Sequence, residues 1–154
     1  MELYDILKEL NINYEEVEHT PVYTVQDVKD LKLTIKGTGC KNLFLKNKKK
    51  EYYLLIMQED KVADIKDIGK RANASHLSFG NETELKEILN LERGYCSPFG
   101  IINDTENKVV LIIDRELKGK KLLFHPNRNT ATISIDYKDL IKFIEYEKNE
   151  YRFV

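Results

Sequence analysis

The sequence predicts a mixed α/β (α+β) fold, with a mixed and largely antiparallel central sheet flanked by helices. Three observations lead there. Apolar residues recur at helical spacing in the first and last segments. Short runs of branched and aromatic residues, bounded by turn residues, read as strands. These two kinds of segment mix along the chain without strict alternation.

Each element follows in order. Leu3, Ile6, Leu7 and Leu10 share one helical face, so residues 2–10 open the chain as a short amphipathic helix. Residues 14–19 read as extended and end at His19-Thr20-Pro21, where proline biases the preceding residue out of the helical region. Thr24 is a candidate N-cap for a helix through Val25, Val28 and Leu31. Residues 36–40 read as a flexible lead into a strand. Residues 41–46 and 51–58 form a predicted hairpin around Asn47-Lys48-Lys49-Lys50. Residues 64–72 are a helix with Ile65 and Ile68 inward, and Leu77-Ser78-Phe79 is a short strand or turn. Asn81 and Glu84 have the spacing of a capping box before Leu85, Ile88 and Leu89. Residues 94–100 are a loop of small residues. Ile101-Ile102 and residues 109–114, with a turn at 103–107, make a second hairpin candidate. Residues 122–124 and 131–135 are further strands, and Leu140, Ile141 and Ile144 mark a last helix over 137–146.

The 154 residues suit one domain spanning 1–154, of a size that needs no disulfide or metal staple. Lys and Arg number 25 against 26 Asp and Glu, a formal charge of −1, so bulk charge does not drive nucleic-acid binding and a polyanion must meet a local patch. Cys40 and Cys96 have no metal-ligand spacing, which excludes a zinc finger or disulfide scaffold and suits a reducing cytoplasm. The acidic start lacks the features of a signal peptide, and the apolar runs are far short of the ~20 residues of a membrane span. A cytoplasmic protein without metal, cofactor or membrane partner is expected.

Three places carry more polar and backbone-special residues than packing needs: Cys40-Lys41-Asn42, Gly94-Tyr95-Cys96-Ser97-Pro98-Phe99-Gly100 and His125-Pro126-Asn127-Arg128-Asn129-Thr130. Singly, each has a plain alternative, since most lysines are solvated and a His beside Pro is usually a turn residue. Together, His19-x-Pro21, Lys41-Asn42-Leu43-Phe44, Leu77-Ser78-Phe79, Gly94-x-x-x-Pro98-Phe99-Gly100 and His125-Pro126-Asn127-x-Asn129-Thr130 stand in an order that resembles the YbaK/ProXp aminoacyl-tRNA editing superfamily, nearest to its PrdX/ProXp-ala branch. The resemblance runs from about His19 to Phe143.

That resemblance implies a YbaK/prolyl-tRNA synthetase editing-domain fold and hydrolysis of alanine mischarged onto proline tRNA, with the tRNA(Pro) acceptor end as partner. It allows prolyl-tRNA synthetase as a second. It assigns the essential amine to Lys41, backbone groups at the ester to the stretch from Gly94 to Pro98, and the aminoacyl pocket to His125. Asn42, Ser97, His19, Phe99 and Asn127 are expected around the substrate. Lys46 matches a position that meets the acceptor stem, His76 stands where relatives carry a basic residue, and Lys48, Lys49 and Lys50 extend the cationic patch. Leu31 and Leu33 are guesses for narrowing the pocket. An activated ester asks only for a positioned water, oxyanion stabilisation and exclusion of the cognate amino acid. The resemblance implies that a ribose hydroxyl of the terminal adenosine positions the water, which fits a chain with no Ser-His-Asp pattern. Three alternatives stay open: a cysteinyl-tRNA(Pro) deacylase, a non-catalytic aminoacyl-tRNA or amino-acid binding regulator, and a thiol enzyme with His125 as base.

Overall fold

The computed structural model describes residues 2–30 and 34–154. Leu31 and Leu33 lie outside the described residues. Helix α1 spans Leu3–Glu9, β1 Glu15–Glu18, α2 Val25–Asp30, β2 Thr38–Lys46, β3 Tyr52–Gln58, α3 Ile65–Arg71, β4 Ser78–Phe79 and α4 Glu82–Leu89. Two 3-10 turns, Arg93–Tyr95 and Pro98–Asn103, precede β5 Val109–Ile113. A third, Arg115–Leu117, leads to β6 Lys121–Phe124, β7 Ala131–Asp136, α5 Tyr137–Glu147 and β8 Tyr151–Phe153.

The strands form an eight-stranded sheet in the order β1-β7-β6-β2-β3-β5-β8, with β4 added beside β2. Among the described residues β1-β7, β6-β7, β2-β3 and β2-β4 pair antiparallel, while β2-β6, β3-β5 and β5-β8 pair parallel. Both faces of the central strands are covered, which is why residues 52–57 read as a continuous apolar run. Leu54 and Ile56 of β3 join Leu111 of β5, Ile6 and Leu7 of α1, Leu89 of α4 and Phe143 of α5 in the larger core. Tyr53, Leu55 and Met57 point the other way, onto Ile68 and Ala72 at the α3 side. Burying each such Leu or Phe side chain contributes roughly 1.5–3 kcal/mol.

Local chemistry fixes the ends that matter here. Thr24 Oγ1 accepts from the Asp27 amide at 3.0 Å while the Asp27 carboxylate accepts from the Thr24 amide, so α2 is capped in both directions. The α4 capping box is present in full, Asn81 Oδ1 accepting from Glu84 N at 2.7 Å and Glu84 Oε1 from Asn81 N at 3.1 Å.

Three readings of the sequence are corrected. Residues 38–40 are strand, because β2 starts at Thr38 and its first two residues pair with β6. The second hairpin does not form: Ile101 and Ile102 sit in the 3-10 turn that Ser97 caps and Pro98 starts, and β5 pairs parallel with β3 and β8. Asp104 closes the connection by accepting from the amides of Lys108 at 2.9 Å and Val109 at 2.8 Å. Strand β8, with no counterpart in the sequence reading, completes the sheet's edge beside β5.

Candidate active site

The site begins with a split in the sheet. On one side of β2, Thr38 and Gly39 pair with Leu122 and Leu123 of β6, and further on Leu45 and Lys46 pair with Phe79 and Ser78 of β4. Between those two short ladders no strand lies on that side of β2 among the described residues. The gap opens into a cavity of about 480 Å³. Its walls are Cys40, Lys41, Asn42 and Leu43 from β2, Phe124 and His125 from the end of β6, and Arg93, Gly94 and Cys96 from the connection before β5. Tyr23, Thr24, Glu59 and Thr132 also line it. The amine, the glycine-bearing turn and the imidazole expected from the sequence thus share one hollow.

His125 is fixed by its backbone. Its Nδ1 lies 2.9 Å from the Ala131 carbonyl oxygen, which only accepts, so Nδ1 is assigned the proton and Nε2 is left as an acceptor. Burial holds its pKa below the ordinary 6.5, against the Ala131 hydrogen bond that raises it, and nearby His19 lowers it further. The imidazole is therefore neutral at physiological pH. His19 stands edge-on to it at 6.0 Å between ring centroids. Its Nδ1 donates to the Thr20 carbonyl at 2.8 Å and its Nε2 lies 2.9 Å from Thr132 Oγ1. His19 thereby anchors a wall residue of the cavity without lining it.

On β2 the side chains alternate. Cys40 and Phe44 pack toward the larger core, Leu43 and Leu45 toward the smaller one, and Asn42 shares the face of Cys40. Lys41 lines the cavity but shares the strand face of Leu43, and its Nζ donates to the Lys61 carbonyl. Asn42 Oδ1 is buried with no hydrogen-bond partner. Burial pushes both thiols, Cys40 and Cys96, up to about 12. At neutral pH neither is a thiolate, which leaves the thiol-enzyme alternative without its nucleophile.

Other expected residues lie behind or beyond the cavity. Ser97 is fully buried and its Oγ accepts from Phe99 N at 3.1 Å, capping the 3-10 turn that begins at Pro98. Phe99 is 0% exposed and packs edge-on against Phe124 and Phe143. Ser97, Pro98 and Phe99 support the wall from behind and do not line the hollow. Asn127, at φ 60°, donates from Nδ2 to the Phe99 carbonyl at 3.2 Å, tying the 125–130 turn to that support. Neither Gly94 nor Gly100 takes a left-handed backbone; a Cβ on Gly100 would come within 2.5 Å of Leu91 Cδ1, so packing explains it, contrary to the sequence reading. A Cβ on Gly94 would meet the Tyr23 backbone at 3.4 Å, where the turn lies against the segment leading into α2.

The cationic residues are spread along β2 and its turn. Lys46 Nζ pairs with Glu84 Oε1 at 2.8 Å, and Tyr52 donates to Glu84 Oε2 at 2.7 Å. Those bonds hold the Glu84 carboxyl at about 2. Lys48, Lys49 and Lys50 are exposed at the hairpin turn, and His76 is exposed before β4. Tyr23, Glu59, Arg93 and Thr132 are cavity residues that the sequence did not single out. Arg93 carried the one usable signal, its place directly before Gly94.

With this geometry in hand, comparison defines the class. Residues 19–143 match the model of the aminoacyl-tRNA editing domain, and the chain belongs to that family of ester-hydrolysing proofreading domains. It is 35% identical over 148 residues to the prolyl-tRNA editing protein ProX of Acetoanaerobium sticklandii, covering 95% of this chain and 90% of that one. It is 34% identical to the prolyl-tRNA synthetase associated domain-containing protein 1 of Danio rerio, covering 94% and 80%. The fold matches a crystal structure described as a candidate trans-editing enzyme for prolyl tRNA synthetase, with a TM-score of 0.73 at 14% identity over 98% of this chain and 92% of that one.

Proposed function

We propose that this protein is a trans-editing hydrolase that deacylates alanyl-tRNA(Pro), with a ribose hydroxyl of the terminal adenosine helping to position the attacking water. The observation that carries the reading is the convergence of Lys41, Gly94 and His125 on one hollow at the split of the sheet. Lys41 lines the hollow, and its amine is the cation that meets a terminal phosphate or an ester carbonyl by charge. The neutral His125 presents Nε2 as an acceptor and its ring as a wall. Glu59 is a carboxylate on the same lining, suited to the α-ammonium that every aminoacyl ester carries.

Selectivity follows from size. A closed wall rejects proline while admitting alanine, whereas one missing methylene is worth only ~1–3 kcal/mol, so glycine passes unless the tRNA filters it. The test is a deacylation panel of purified alanyl-, cysteinyl-, seryl- and prolyl-tRNA(Pro). Alanyl-tRNA(Pro) is expected to turn over fastest and prolyl-tRNA(Pro) to survive. Preference for the cysteinyl ester transfers the protein to the cysteinyl branch, and binding without turnover makes it a binder.

A further inference from the structure

A second cavity of about 400 Å³ adjoins the first. Asn42, Leu43, Arg93 and Cys96 line both, so the two are compartments of one groove running along β2. The second compartment is floored by Phe44 and Leu85 and rimmed by Phe79, which is 59% exposed on the two-residue strand β4. Gly80 is what lets that floor form: a Cβ there would stand 2.4 Å from the Phe44 ring, and the Gly80 amide donates to the Phe44 carbonyl at 2.9 Å. An exposed aromatic ring over an apolar floor is the arrangement on which unpaired nucleobases stack.

Charge at the junction fits the same occupant. Arg93 stands between the compartments, and its ion pair to Glu82 at 3.9 Å joins two exposed side chains and contributes little. Its guanidinium can therefore turn to a phosphate, which it grips better than an ammonium would. Asn42 lines both compartments, and its Oδ1 is buried without a hydrogen-bond partner. The direction is also right. Beyond the second compartment β2 reaches Lys46, roughly 20 Å from Cys40 at ~3.3 Å per residue, and then the exposed Lys48–Lys50 turn.

We infer that this second compartment binds the nucleobase next to the aminoacylated adenosine, stacked on Phe79, with the intervening phosphate on Arg93. The inference rests on the deacylase reading of the first cavity and adds a subsite to it. A single-stranded 3′ end would then run along β2, its last nucleoside in the first cavity and its penultimate base in the second.

The test uses the dinucleotide CpA and adenosine as probes, titrated against the protein, Phe79→Ala and Phe79→Trp, with thermal melts confirming that each variant folds. Stacking strength converts to a preference for CpA over adenosine of about 5- to 150-fold in the parent protein. Phe79→Ala is expected to collapse that preference and Phe79→Trp to keep it. Arg93→Ala is expected to make the slope of log affinity against log salt for CpA shallower by about 0.7. Equal affinity for the two probes in the parent protein, or an undiminished preference in Phe79→Ala, overturns the inference. Hydrolysis of alanyl-tRNA(Pro), measured in parallel, reports on the deacylase reading separately: preference without hydrolysis keeps the subsite and removes the enzyme, and hydrolysis without preference does the reverse.

Discussion

Lys41 and His125 face the same hollow by different means, and their variants separate their roles. Lys41 is half-buried with its amine on the Lys61 carbonyl and belongs to neither core, so its replacement leaves no core void. Lys41→Ala is expected to lower alanyl-tRNA(Pro) deacylation by 10²-fold or more with an unchanged melting curve, the scale of losing one charge stabiliser at a reacting centre. Undiminished turnover counts against it. His125→Ala opens the wall, and the alanyl-over-prolyl discrimination is expected to fall by about tenfold or more. The thiols give a third check. Both are held protonated by burial, so iodoacetamide at pH 7.5 is expected to label the folded protein slowly and to leave deacylation intact. Rapid labelling with loss of activity would restore the thiol mechanism. Legibility at this scale was uneven. That Lys41, Gly94 and His125 share a hollow was readable only because five motifs stand in the order of a known family; singly, each had a plain alternative. Glu59 and Tyr23 were not readable, because they become neighbours only when β2 and β6 part.

The pairing of α4 with β2 shows how an element can hold a cation in place. Glu84 caps its own helix and also receives Lys46 and Tyr52, so its carboxyl is ionised down to about 2 in the folded chain, against 4.5 ordinarily. The ionised form is what folding favours. Its contribution is full above about pH 4.5 and is lost as pH falls toward 2. Denaturant melts between pH 5 and pH 2 are expected to show a steeper loss for the parent protein than for Glu84→Gln; parallel curves would remove the carboxylate from the account. The capping box and the β2-β3 hairpin were legible because both are local, set by residues three or four apart. The Ile101-Ile102 strand failed for the same reason in reverse. A short apolar pair after Ser-Pro starts a 3-10 turn as readily as a strand, and only the non-local parallel ladders of β5 decide between them. Strand β8 carries three residues, too few for any periodicity to register.

Across the whole molecule the charge nearly cancels, so attraction to a polyanion depends on where the cations stand. Lys48, Lys49 and Lys50 are exposed at the end of β2 away from the cavity, while Lys46 is committed to Glu84. Replacing all three turn lysines with alanine is expected to flatten the salt dependence of tRNA affinity by about 2–3 in log–log slope if a duplex stem lies across them, at ~0.9 per phosphate contact. An unchanged slope takes the turn out of the interface.

The parting of β6 and β4 along β2 has one more consequence. Bare strand margins invite neighbouring chains to add on and seed fibres. Here the bare stretch is stoppered at each end by a short ladder and recessed beneath the 93–96 connection, so no second chain can lie flat against it. The notch proposed to admit a nucleotide tail is thereby a poor place for another strand to pair.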